Sequence, residues 1–271
     1  MSFSSDTVLI TGASSGIGRE LARCFARTGA TCVLLARREA VLHDLADTLT
    51  TDYGANTHVL PADLSVPGVA DTVAEQLQER ELSVDVLVNN AGFGARGPFA
   101  DLEAQRQVDM IQVNVTALTH LTRQLLPGMR AREHGGVLNV ASTAAFQPGP
   151  YMSVYYATKA YVLSFSEGLA EELADTPLTV TCLAPGPTRT SFADRADMEE
   201  ARLMDLGATM TPEAVAQAGY SAFRAGRTLE IPGWPNKIGA VLTRVTPRVV
   251  ARKAAAWLNG EAPGASFGSD E

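Results

Sequence analysis

The sequence predicts an α/β fold, a single, mostly parallel sheet of about seven strands doubly wound with helices on both faces. Three observations predict it. Short, continuously apolar runs alternate with longer segments whose apolar residues recur at three- and four-residue spacing. The runs show no polar alternation, as expected of strands covered on both faces. The first strand passes into the first helix through a glycine-rich turn, Thr11-Gly12-Ala13-Ser14-Ser15-Gly16-Ile17-Gly18.

The elements follow in order. Val8-Leu9-Ile10 reads as the first strand, and Leu21, Ala22, Phe25 and Ala26 mark the apolar side of the helix after the turn. Thr31 to Ala36 is the second strand, followed by a helix with Val41, Leu42, Leu45 and Leu49 on one side. Thr57 to Leu60 is the third, followed by a helix through Val69, Val73 and Leu77, and Val84 to Val88 is the fourth. Strands and helices in strict alternation imply right-handed crossovers and parallel pairing. After Asn89-Asn90-Ala91-Gly92 and a loop to Pro98 comes a long helix, from about Leu102 to Met129. Gly136 to Ala141 is a fifth strand, and a helix then runs from Pro150 to Asp175. Leu178 to Leu183 is a sixth strand. From Pro187 to Met210 the pattern loosens, as in a mobile lid or substrate loop. Thr211-Pro212-Glu213 starts another helix with a capping residue and an early proline, and Thr228 to Ile231 is the last strand. The segment from Trp234 to Leu258 reads as one or two amphipathic helices broken near Pro247. It packs on the domain or a neighbouring subunit, or makes a weak membrane-surface contact. The chain thus divides into a body at 1–233, a helical extension of it at 234–260 and a flexible tail at 261–271.

The 271 residues, 46% of them hydrophobic, suffice for one large domain with an extensive core. A net charge of −8 argues against broad nucleic-acid binding. Cys24, Cys32 and Cys182 are unclustered and set among apolar residues, which suits reduced thiols in a cytoplasmic protein. No apolar run is long enough for a transmembrane segment. The four histidines lack metal-ligand spacing, so no metal site is expected.

Glycines at 12, 16 and 18 let the backbone turn tightly and approach a ligand, while the following helix presents N–H groups and a partial positive charge to a phosphate. Gly12-Ala13-Ser14-Ser15-Gly16 also matches a hydrolase nucleophile elbow with Ser14 as nucleophile. Its place on the first strand and the continuation through Ile17-Gly18 favour the phosphate turn. A dinucleotide fold places a carboxylate about 20 residues past the glycines to hold the adenosine ribose. Here that place is Ala36, followed by Arg37 and Arg38. Guanidinium groups pair with a 2′-phosphate, so NADP(H) is expected over NAD(H). Asp63, followed by Leu64, is placed to accept from the adenine amino group.

Tyr155 and Lys159 lie one turn apart on one helix face. A lysine ammonium beside a phenol favours the phenolate, which makes Tyr155 a candidate general acid and base. Ser142 follows the fifth strand, so its hydroxyl emerges at the carboxyl edge, where open parallel sheets bind ligands.

On the glycine turn, Asn89 to Gly92 and Ser142 to Lys159, the sequence resembles the short-chain dehydrogenase/reductase family over about residues 6 to 232. The resemblance implies a Rossmann fold. It also implies a cofactor site that includes Asn90, Ala91, Gly92, Pro185, Gly186, Thr188 and Thr190, and a catalytic tetrad of Asn114, Ser142, Tyr155 and Lys159. Hydride passes between the nicotinamide and a ketone, aldehyde or secondary alcohol. Tyr155 protonates the oxygen, Ser142 bonds it, and Lys159 holds the ribose and lowers the tyrosine's pKa. Asn114 and Lys159 hold a water that carries protons to solvent. A homodimer or homotetramer is implied too. Residues 93–99, 144–152 and 192–210 are expected to shape an apolar substrate pocket. The rival functions are a dinucleotide-sensing regulatory protein without turnover and the Ser14 hydrolase.

Overall fold

A computed structural model describes residues 5–190, 192 and 209–260. The expected substrate loop, apart from residues 187–190, 192, 209 and 210, and the expected tail at 261–271 lie outside the described residues. Seven strands form one sheet: β1 (Thr7–Thr11), β2 (Thr31–Ala36), β3 (Thr57–Pro61), β4 (Val86–Asn89), β5 (Gly136–Val140), β6 (Thr179–Leu183) and β7 (Leu229–Glu230). Their order is β3-β2-β1-β4-β5-β6-β7. Every pairing between them is parallel. The chain order reverses between β1 and β4, which opens a crevice at their carboxyl ends, where doubly wound sheets take their ligands.

Alternate residues of each strand feed two cores. Val8 and Ile10 of β1 face α1 (Gly16–Ala26), α2 (Glu39–Tyr53) and α7 (Pro212–Arg224), among Leu21, Phe25, Leu42, Val215 and Phe223. Leu9 faces the opposite layer, with Val73 of α3 (Val69–Glu79), Leu121 of α5 (Leu118–Arg132) and Leu169 of α6 (Ser153–Glu172). Phe25 meets Tyr220 and Phe223 edge-on, with centroids 5.1 and 6.4 Å apart. Each such buried side chain contributes roughly 1.5–3 kcal/mol relative to exposure.

The long helix expected over Leu102 to Met129 is not uniform. It consists of α4 (Ala104–Ile111), a π-helical turn at Gln112–Ala117, and α5. The wider turn lets Val113 and Ala117 stay in the core while the adjacent Asn114 is buried toward the site. Apolar spacing does not reveal such a local change of winding. The segment after β7 forms two helices, α8 (Trp234–Val245) and α9 (Arg248–Asn259), with Thr246 and Pro247 at the corner.

Candidate active site

The glycine turn is assembled by β4. Asn90 donates its side-chain amide to the carbonyls of Thr11 and Gly12, at 2.9 and 3.3 Å. The Thr11 hydroxyl accepts from the backbone N–H groups of Asn90 and Ala91 and donates to the Val88 carbonyl. Gly12 has φ +66°, and a Cβ on Gly18 would lie 2.5 Å from the Gly12 oxygen and against the Asn90 amide. Both positions therefore need glycine. No acidic residue lies in the first turn of α1, and no side-chain cap covers its N-terminus. That terminus offers N–H groups and positive potential to a phosphate.

At the end of β2, Arg38 donates to the carbonyl and hydroxyl of Ser14, at 3.2 and 3.1 Å, while Arg37 pairs with Asp63 at 3.8 Å. The two arginines are thus not equivalent, since Arg38 sits on the glycine turn and Arg37 on the neighbouring carboxylate. The partner of Ser14 in these bonds is a permanent cation, which cannot take a proton as a hydrolase base must.

Ser142 follows β5 and caps a 3₁₀ turn, Thr143–Phe146, accepting from the Ala144 N–H at 3.1 Å. Its side chain also lies near enough to the Tyr155 phenol to favour the ionised form. Tyr155 packs against Phe192 with ring centroids 5.3 Å apart. The Lys159 ammonium donates to the Val140 carbonyl at 2.8 Å and lies 5.9 Å from the centre of the Tyr155 ring.

The electrostatics differ from the sequence expectation. Burial pushes the Tyr155 phenol well above its ordinary range, and the Ser142 side chain only partly offsets this. Burial also brings Lys159 down to about 8. Desolvation disfavours both charged forms and is the largest cause of both shifts.

Asn114 accepts from the Phe93 N–H and donates to the Phe93 carbonyl and the Thr158 hydroxyl, at 3.1, 3.0 and 3.0 Å. The Thr158 hydroxyl in turn donates to the Tyr155 carbonyl at 2.7 Å. A Cβ on Gly92 would stand 3.0 Å from the Asn114 amide oxygen and 3.4 Å from the Lys159 nitrogen, so glycine keeps open the space between them.

Apart from Gly18 and Asn114, which stand behind it, every residue expected to be catalytic or to bind the cofactor lines one cavity of about 450 Å³. Of the described residues in the ranges expected to shape the substrate pocket, only Phe93, Ala144, Met152 and Phe192 line this cavity. It runs from Arg38 and Asp63 past the glycine turn to Ser142, Tyr155 and Lys159, and then to Pro185, Gly186, Thr188 and Thr190. The chemistry along it changes in the order a dinucleotide presents it, with cations at one end, a bare helix N-terminus in the middle, and hydroxyl and ammonium groups at the other end.

Several supporting residues were not foreseen. Thr158 steadies Asn114, but a lone threonine in an amphipathic helix gives no signal. Asn259, at the end of α9, accepts from the Tyr156 hydroxyl at 3.1 Å and donates to the Pro150 carbonyl at 3.0 Å, while its carbonyl accepts from Arg96 at 3.2 Å. Asn236 of α8 lies against Gly186 and donates to the Pro232 carbonyl at 2.7 Å. The Asn259 contacts join positions between 103 and 163 residues apart, which no local pattern marks.

A single parallel sheet with this cleft at its switch point is the architecture in which doubly wound proteins bind nucleotides. Residues 6–201 match the family model for short chain dehydrogenases, and the chain belongs to that family. A ketoacyl reductase, HetN, of Nostoc sp. is 30% identical over 240 residues, covering 88% of this chain and 82% of its own. Among solved structures, a short-chain dehydrogenase from Sphingobium yanoikuyae in complex with NADPH is 34% identical. The match has a TM-score of 0.79 and covers 89% of this chain and 94% of that one. A 7β-hydroxysteroid dehydrogenase is 25% identical with a TM-score of 0.84, covering 94% and 100% of the two chains.

Proposed function

We propose that the protein is an NADP(H)-dependent reductase of apolar ketones or aldehydes, or a dehydrogenase of the corresponding alcohols, with Tyr155 as general acid and base. The observation that carries this is the meeting of Ser142, Tyr155 and Lys159 in the same cavity as the glycine turn. When bound there, a nicotinamide dinucleotide supplies or accepts the hydride.

The chain's own residues do the rest. The glycine turn and the α1 N-terminus would hold the pyrophosphate. Arg38, with Arg37 beside it, would pair with a 2′-phosphate, and Asp63 would accept from the adenine amino group. Lys159 would hold the nicotinamide ribose. Tyr155, kept protonated by burial, gives its proton to the substrate oxygen, and Ser142 steadies that oxygen with a second hydrogen bond. Lys159, brought by burial to about 8, exchanges protons near neutral pH and restores the tyrosine. The space beside Gly92 would hold a water between Asn114 and Lys159 that links them to solvent. Phe93, Met152 and Phe192 line the substrate end and suit an apolar carbonyl. NADPH in the Sphingobium relative supports the cofactor reading. Three buried free cysteines suit a reducing, cytoplasmic setting, and a homodimer or homotetramer is the assembly we expect.

The test is NADPH oxidation against a panel of aliphatic, aromatic, steroid, ketoacyl and sugar carbonyls, with Tyr155→Phe alongside. Wild type should turn over at least one class, and the variant should lose activity by roughly 1,000-fold while binding NADPH within a few-fold. Undiminished turnover by the variant would refute the role of Tyr155, and tight NADPH binding with no turnover across the panel would favour a sensor. Arg38→Ala should weaken NADPH at least about tenfold more than NADH, in keeping with the strength of charge-assisted bonds. Equal weakening of both, measured by fluorescence titration, would count against the 2′-phosphate assignment.

A further inference from the structure

The helix pair α8 and α9 is turned inside out relative to a helix that packs on a core by its large residues. Its inward positions are small or polar, with Ala240, Ala251, Ala255 and Asn259 buried. Its large apolar residues point outward. Trp234 is 78% exposed, Val245 75% and Trp257 56%, with Ile238, Val241, Leu242, Val249 and Val250 exposed as well. The helical positions agree, since Trp234, Ile238, Val241 and Val245 share one side of α8, and Val249, Val250, Lys253 and Trp257 one side of α9.

The charge around this face is equally particular. Residues 234–260 hold five cations and no acid in a chain whose net charge is −8; Lys237 is paired with Glu230 at 3.3 Å, and Arg248, Arg252 and Lys253 are exposed. Both tryptophans of the chain are here. No helix among the described residues is long and apolar enough to cross a membrane.

We propose that α8 and α9 form a docking surface for an anionic lipid bilayer, lying in the interface with their tryptophans and branched aliphatic side chains among the headgroups. A cationic helix with an outward apolar side and interfacial tryptophans is the physical description of such an element. A second copy of the chain fits less well, because a two-fold contact would set this cationic face against itself. The surface is independent of the catalytic assignment, since none of these outward residues lines the cavity.

Intrinsic fluorescence tests it directly, because every tryptophan of the chain lies on the proposed surface. The full-length protein is titrated with vesicles of equimolar phosphatidylglycerol and phosphatidylcholine, and with vesicles of phosphatidylcholine alone. A blue shift with co-sedimentation on the anionic vesicles, weakened by salt, is expected, with much less on the neutral ones. Arg252→Glu with Lys253→Glu, both exposed positions, should weaken partitioning by about 100-fold with an unchanged circular dichroism spectrum. Absence of shift and sedimentation at low salt would overturn the proposal, as would equal binding by the folded double variant. A blue shift that grows with protein concentration without vesicles would also overturn it, and would assign the face to self-association.

Discussion

Lys159 is a cation with 5% of its surface exposed, and its backbone acceptor, the Val140 carbonyl, is neutral. Burial brings its pKa from 10.5 to about 8. Between those values the unfolded chain holds a proton that the folded chain has released, so this group makes stability rise with pH across that window. Below about pH 8 the full penalty of the buried charge applies, roughly 3 kcal/mol at that shift. Tyr155 acts in the opposite sense. Its raised pKa makes the folded chain keep a proton that the unfolded chain loses, so stability falls as pH rises through the ordinary phenol range. In the cofactor-free protein, Lys159→Met should therefore raise the thermal midpoint at pH 7 by a few degrees, with the gain shrinking as pH approaches 10. Scanning fluorimetry at several pH values checks this, and a difference independent of pH would show that the buried charge is not the cause. At this scale Ser142, Tyr155 and Lys159 were legible, because a strand end and a four-residue helical spacing bring them together. The balance of burial against attraction was not, because desolvation depends on every atom packed around the pair.

The strand–turn–helix unit from Thr7 to Ala26 was readable because each part has a local cause: apolar strand residues, glycines where φ is positive or a Cβ has no room, and an apolar helix side. What the unit leans on was not readable. Asn90 lies 78 positions from Gly12 and holds both the turn and the close approach at Gly18. Gly18→Ala should accordingly displace the Asn90 amide, lower stability by about 1–3 kcal/mol as overpacking does, and weaken dinucleotide binding. Urea unfolding and a binding titration check it, and stability and affinity within error of wild type would show that the turn tolerates a Cβ. The π-turn around Asn114 has the same character. The sequence reads as one continuous helix there, and the change of winding is seen only where Phe93 and Thr158 supply partners for a buried amide.

Across the whole molecule, one chain of polar contacts spans the sheet beneath the site. Thr122 accepts from Asn89, Asn89 also donates to Asn139, and Asn139 donates to Ser166, at 3.0, 2.9 and 2.9 Å. Satisfied in this way, buried amides lock β4 and β5 to α5 and α6 in one register. Alternating strands and helices with continuously apolar strands determined, from the sequence alone, a doubly wound parallel sheet, its ligand edge and the residues that reach it. These follow from local periodicity and chain connectivity. Only the tertiary structure decided that Arg38 rather than Arg37 rests on the glycine turn, that Asn259 ties the last helix to Tyr156, and that α8 and α9 turn their large apolar residues to solvent. Each of these depends on which distant surfaces meet, and a helix's periodicity shows that it has an apolar side without showing which way that side faces.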